Sequence, residues 1–122
     1  MRKIVFIILT TCLSSCYFFK EDGIDYKIIN NSDQSISNII LKTSENTDSL
    51  VIELLKPEES KSGFLKMVNA SSDGGYIMKY TRQNGDMFET GGGYYTNGGS
   101  LDSWIRFEIN QDTTLVSLGQ YP

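Results

Sequence analysis

The most restrictive feature of this sequence is an alternation of apolar and polar residues that runs from residue 24 to the end of the chain. It comes in short runs, which turn-forming residues interrupt roughly every eight to twelve positions. Successive side chains of a strand point to opposite faces, so this period predicts strands with one buried face. No stretch shows the apolar period of about 3.6 residues that marks an amphipathic helix. The chain is therefore expected to be all-β.

Eight short strands would explain the alternating runs. The clearest hairpin is at Asn84-Gly85, because Asn-Gly tolerates the positive φ angles of a tight turn. Pro57 ends another run, since proline cannot donate to a strand ladder. The expected strands span residues 24–30, 35–43, 49–55, 62–68, 76–82, 87–90, 103–109 and 114–118.

Short strands with few helix formers between them favour a single antiparallel β-sandwich of about seven to eight strands. In plan, this resembles an immunoglobulin-like domain. The resemblance is limited to the plan, because the paired cysteines that flank a tryptophan in such domains are absent from this sequence. A small closed barrel is the alternative.

The N-terminus has the form of a targeting segment. Arg2 and Lys3 precede an apolar run over residues 4–9, and Ser14 and Ser15 supply small residues beyond it. The run is too short for a spanning helix, which needs about 20 apolar residues. A charged start, a short apolar stretch and small residues are typical of a secretory signal peptide.

Leu13-Ser14-Ser15-Cys16 resembles the lipobox of bacterial lipoproteins. The resemblance implies that the Cys16 sulfur receives a diacylglycerol and that the chain is cut before Cys16. We therefore expect a signal peptide at 1–15, a lipidated cysteine with a short tether at 16–23, and one domain at 24–122. The mature chain would have no free thiol, since Cys12 leaves with the signal.

The tether raises a question of location. Lys20-Glu21-Asp22 resembles the charged signal that sends some Bacteroidota lipoproteins to the outer face of the outer membrane. The alternative is a solvated linker. The expected location is the cell envelope, with a lipid anchor in the outer membrane and the domain either periplasmic or surface-exposed.

Charge narrows the partners. Removal of Arg2 and Lys3 with the signal peptide leaves nine of the eleven basic residues and all fifteen acidic ones, so the mature chain would have a net charge of −6. No basic stripe is present, so a nucleic-acid partner is disfavoured. Attachment to an anionic membrane surface would have to come from lipid.

The residues that usually carry catalysis are scarce. The chain has no histidine, which removes the commonest general base and zinc ligand. Most carboxylates fall at predicted turns, and alternation directs Glu53 and Glu108 outward. We therefore expect no enzyme activity, no cofactor and no metal. A calcium site formed by loops carrying Asp73, Asp86 and Asp102 is the alternative.

The segment ETGGGYYTNGGS, which covers residues 89–100, is the most unusual in the domain. A mobile loop there would display Tyr94 and Tyr95 near an outward-facing Trp104, and flat aromatic rings can stack on sugars or anchor a protein. The favoured interpretation is a bulged or wide hairpin, in which the glycines supply positive φ angles.

These observations predict a lipid-anchored envelope protein with a non-catalytic binding or structural role. One alternative is a surface lipoprotein that binds glycans through Tyr94, Tyr95 and Trp104. Another is a lipoprotein that inhibits an enzyme or confers immunity to one. The expected partners are the membrane, through lipid, and an envelope protein or a glycan.

Overall fold

The computed structural model describes residues 21–122, so the expected signal peptide, Cys16 and Lys20 lie outside the described residues. The described part is all-β, and no helix in it is long and apolar enough to cross a membrane. Its nine strands are β1 (Gly23–Asn30), β2 (Ile36–Thr43), β3 (Ser49–Leu55), β4 (Ser60–Lys66), β5 (Gly74–Arg82), β6 (Met87–Thr96), β7 (Gly99–Ser100), β8 (Trp104–Ile109) and β9 (Thr114–Gly119).

The strands form two sheets. The four-stranded sheet has the order β4-β1-β8-β9, and the five-stranded sheet has the order β3-β2-β5-β6-β7. The expectation of purely antiparallel pairing is wrong for β1 and β8, which are parallel. Parallel neighbours need a long connection, and here β2 to β7 intervene in the chain between them.

One hydrophobic core joins the two sheets. Alternation directs Ile28 of β1 and Phe107 of β8 inward from the four-stranded sheet, and Leu41 of β2 and Met78 of β5 inward from the other. All four side chains are fully buried. The opposite faces carry polar residues such as Lys27, Lys79 and Arg106, whose alternation with the core residues gives the two-residue period of the sequence.

The glycine-rich segment is part of a sheet and does not form a mobile loop. It continues β6 to Thr96, and a two-residue strand β7 follows the turn at Asn97-Gly98. The β5–β6 register shifts between Gly74 and Tyr76, and Gly93 has a φ of 78°. The segment is thus a bulged hairpin, as the favoured interpretation of the sequence held. Gly91 is required there, because a β-carbon would collide with the Tyr76 carbonyl oxygen.

Candidate functional site

The outer face of the four-stranded sheet carries an aromatic row with a carboxylate at its centre. Asp25 of β1 is paired in register with Phe64 of β4 on one side and with Trp104 of β8 on the other. Trp104 is paired in turn with Gly119 of β9. The side chains of Asp25, Phe64 and Trp104 point away from the core, because the residues next to them along each strand point into it.

Glycines on neighbouring strands determine where the two rings lie. A β-carbon at Gly119 would fall on the indole of Trp104, and one at Gly23 would fall on the ring of Phe64. Trp104 is therefore directed over β9 and Phe64 over the start of β1. In the register of the sheet, Asp25 lies between Phe64 and Trp104.

A second row, next to the first, is basic. Lys27 of β1 is paired with Arg106 of β8 and with Ser62 of β4. The Arg106 guanidinium carbon lies 5.9 Å from the centroid of the Trp104 ring. Its contact with Glu108 is long, at 3.7 Å, and both side chains are partly exposed. That ion pair contributes little to stability.

The two rows line an open groove of about 590 Å³. Its walls are the aromatic side chains Phe64, Trp104 and Tyr121, and its charged groups are Asp25, Lys27 and Arg106. Apolar walls with a few convergent polar groups are the usual composition of a small-ligand site.

The C-terminal tail contacts this groove. The Tyr121 hydroxyl donates a hydrogen bond of 2.7 Å to Oδ2 of Asp25, and Gln120 Nε2 donates to the Leu101 carbonyl oxygen at 2.8 Å. The bond to Asp25 raises the pKa of Tyr121, because ionising the phenol would place two negative charges side by side. Tyr121 is 60% exposed, and its hydroxyl is bonded to the carboxylate on the groove side.

An adjoining cavity of about 420 Å³ extends the groove toward the start of the described chain. It is lined by Glu21 and Asp22, two residues of the expected export signal. The Lys66 ammonium lies 3.1 Å from Glu21 Oε1, and the Met67 amide donates to the Asp22 carbonyl oxygen at 2.9 Å. Both residues are thus joined to β4 or its C-terminal end, and their role in export stays a prediction.

Tyr95 cannot present a face to a ligand, so its expected role in binding is wrong. Its side chain is 0% exposed, and its hydroxyl donates to Glu45 Oε1 at 2.9 Å. Its ring centroid lies 5.6 Å from that of Tyr76. Burial, and then the bond to Glu45, raise the pKa of Tyr95. The bulge resets the alternation along β6 and turns this residue inward.

Tyr94 remains partly exposed, but it does not join Trp104. Its hydroxyl donates to Asp73 Oδ2 at 3.0 Å, and the Asn97 amide donates to the other oxygen of that carboxylate at 3.1 Å. Neither Tyr94 nor Tyr95 lines the groove or the adjoining cavity. Trp104 does face outward, as alternation predicts, and its role in binding stays a prediction.

The calcium alternative is also wrong for the three aspartates proposed. Asp73 precedes β5 and Asp86 follows it, so the two lie at opposite ends of a nine-residue strand. Within residues 21–122, no group of three or more acidic, histidine or cysteine side chains is arranged to hold a metal ion.

One carboxylate is fully engaged by the fold. Asp48 is buried and accepts backbone hydrogen bonds from Val68, Asn69 and Ala70. Burial alone would raise the pKa of Asp48, but these three bonds and one from Thr47 outweigh it, and the pKa is lowered. Asp48 therefore holds the segment after β4 in place.

Sequence reasoning missed Phe64, Tyr121 and Asp25 as members of one site. Each stands on a different element, and the register that joins β1 to β4 and β8 is long-range. The local signals were the outward positions of Asp25 and Trp104 in their strands and the aromatic residue next to the C-terminus.

Comparison with known proteins supports the fold only. No protein-family model matches the chain, and no curated protein matches it. A solved structure described as an NMR structure of a protein from Eubacterium rectale is similar, with a TM-score of 0.55 and 15% sequence identity. The match covers 82% of this chain and 91% of that one.

Proposed function

We propose that this chain is a lipid-anchored, non-catalytic protein of the bacterial cell envelope that binds a glycan in the groove of the four-stranded sheet. The domain is an immunoglobulin-like β-sandwich in plan, and the groove is on one outer face of it. The lipobox at Leu13–Cys16 supports the anchor, and the short tether places the domain near its membrane.

The row Phe64–Asp25–Trp104 is the observation that carries the glycan proposal. Sugar rings present C–H faces that pack on aromatic rings and hydroxyls that donate to carboxylates. Neighbouring strands lie about 4.8 Å apart, so the α-carbons of Phe64 and Trp104 are separated by roughly 10 Å. Because Trp104 is directed over β9 and Phe64 over the start of β1, the surface above Asp25 is left open for one sugar ring between them.

Trp104 is the chain's only tryptophan, so its fluorescence reports directly on the groove. A glycan array should identify ligands, and titration of each ligand should change the Trp104 emission. Trp104→Ala and Phe64→Ala should each abolish array binding. Tyr94→Ala is the matched control, because it removes an exposed aromatic ring outside the groove.

Two results would overturn the glycan proposal. The first is an array with no ligand at all. The second is binding that Tyr94→Ala abolishes and Trp104→Ala leaves intact. A tight one-to-one protein complex in the absence of any glycan ligand would favour an inhibitor or immunity role instead.

The anchor is tested separately. Cys16→Ala should move the protein from the detergent phase to the aqueous phase, whereas Cys12→Ala should not, because Cys12 is removed with the signal peptide. Retention of the Cys16→Ala protein in membranes would rule out a lipid on Cys16. Proteinase K treatment of intact cells then distinguishes a surface location from a periplasmic one, and alanine at Lys20, Glu21 and Asp22 should abolish surface exposure.

A further inference from the structure

The basic row of the groove has an unfavourable arrangement in the ligand-free protein. Lys27 and Arg106 are directly opposite each other on neighbouring strands, and like charges so placed repel. Among the described residues, no carboxylate oxygen lies within 4.0 Å of the Lys27 ammonium. Arg106 has only its long contact with Glu108. An anion bound between the two cations would relieve the repulsion.

The sign of the charge in the groove is opposite to that of the whole chain. The groove is lined by two cations and one carboxylate, whereas the chain has a net charge of −4. The one carboxylate, Asp25, already accepts a hydrogen bond from the Tyr121 hydroxyl. A local excess of positive charge on an acidic protein attracts an anionic ligand to that place.

We propose that the ligand is an acidic sugar, whose carboxylate binds between Lys27 and Arg106 while its ring packs on Trp104. A ligand hydroxyl replaces the Tyr121 hydroxyl on Asp25. This inference rests on the proposed glycan function and names the class of glycan.

The spacing of the two rows fits one sugar ring. Lys27 follows Asp25 by two positions in β1, which places the rows about 6.6 Å apart. A pyranose ring spans this distance, so its hydroxyl edge reaches Asp25 when its carboxylate reaches the basic row. Arg106 is suited to this role, because its guanidinium can donate two parallel hydrogen bonds to a carboxylate.

Oligogalacturonate and its methyl ester are the test pair, since they share one backbone and differ in the carboxylate charge. Titration followed by Trp104 fluorescence should show the acid binding about tenfold more tightly than the ester, which is the scale of one or two partly exposed charge pairs. The preference should shrink at high salt. Sialylated and muramic-acid-containing oligosaccharides are further arms, and they identify the source of the acidic sugar.

The Lys27→Gln Arg106→Gln double variant should lose the preference for acid and keep its binding of the ester. The Lys56→Gln Lys79→Gln double variant removes the same charge outside the groove and should keep the preference. Equal binding of acid and ester by the unmodified protein would overturn the acidic-sugar inference and leave the glycan function standing. Absence of binding in every arm would overturn both.

Discussion

Two regions of this protein place aromatic rings beside glycines, and the fold uses these rings differently. The tyrosine segment of β6 carries Tyr94 and Tyr95 among glycines, and the groove carries Phe64 and Trp104 beside glycines of neighbouring strands. In the tyrosine segment, each hydroxyl is bonded to a carboxylate from a loop of the five-stranded sheet. In the groove, the rings are on the outer face, and Asp25 is the residue paired with both Phe64 and Trp104.

The difference shows that an aromatic–glycine cluster has two uses. A glycine beside an aromatic ring lets the ring approach the backbone. At Tyr95 the ring is buried in the core, whereas at Trp104 it lies over β9 on the outer face of the sheet. Which use applies depends on the face of the sheet, and therefore on the register. Whether an aromatic side chain beside a glycine is buried or exposed therefore depends on what it contacts across the fold, and not on the composition of its segment.

The largest difference should appear in unfolding. Tyr95→Ala removes a fully buried ring and should lower the free energy of unfolding by about 3–5 kcal/mol, as truncation of large buried rings does. Trp104→Ala removes a ring from the surface and should cost about 1 kcal/mol. Urea denaturation followed by circular dichroism measures both. Similar losses of unfolding free energy in the two variants would contradict the distinction between a buried ring at Tyr95 and a surface ring at Trp104.

Two carboxylates extend the comparison. Asp48 is buried and accepts three backbone hydrogen bonds, whereas Asp25 lies in the groove and accepts one from Tyr121. Asp48→Asn should cost about 2 kcal/mol near neutral pH, because three charge-assisted hydrogen bonds are weakened. The pKa of Asp48 is lowered on folding, so its contribution is present above its unfolded pKa of about 3.9 and is lost as the pH falls through the folded value.

The stability gap between the unmodified protein and Asp48→Asn should therefore narrow below about pH 4. Urea midpoints at several pH values measure it, with Asp112→Asn, in an exposed turn, as the control. A gap that stays constant down to pH 3 would contradict the assigned role of Asp48.

The smallest effect on stability should come from the tail. Tyr121→Phe removes an exposed contact and should leave the urea midpoint unchanged, while ligands that donate a hydroxyl to Asp25 should bind more tightly. The bond to Asp25 raises the pKa of Tyr121, so this contact is present below the unfolded pKa of about 10 and is lost as the pH rises through the folded value. Tyrosinate absorbance should show one fewer late-titrating tyrosine in the variant. Weaker ligand binding by Tyr121→Phe would mean that the phenol belongs to the binding surface.

Alternation predicted the faces correctly where a strand is regular. It placed Ile105 and Phe107 inward and Trp104 outward, because a period of two residues is a local property of the chain. It was not applied beyond Thr90, where β6 continues to Thr96 and where the bulge and the positive φ of Gly93 interrupt the period and turn Tyr95 inward. The glycines indicated an irregular backbone in this segment, but they did not indicate to which face of the sheet Tyr95 would turn.

The groove could not be predicted from the same signals. Periodicity assigns a residue to a face and does not say which strand lies beside it. Asp25 and Trp104 are neighbours only through the parallel pairing of β1 with β8, and that pairing depends on the packing of the whole second sheet. The site is therefore a product of topology, although each of its residues has an ordinary strand position.

The attachment of Asp22 to Met67 has a consequence for how binding would work on a cell. With Cys16 lipidated as proposed, residues 17–21 would separate the anchor from Asp22, and five residues reach at most about 18 Å. A shallow groove held that close to a surface meets a polymer on the same surface at a high effective concentration. Several anchored copies of the protein that bind successive repeats of one polymer would then bind it with high avidity, even where each single interaction is weak.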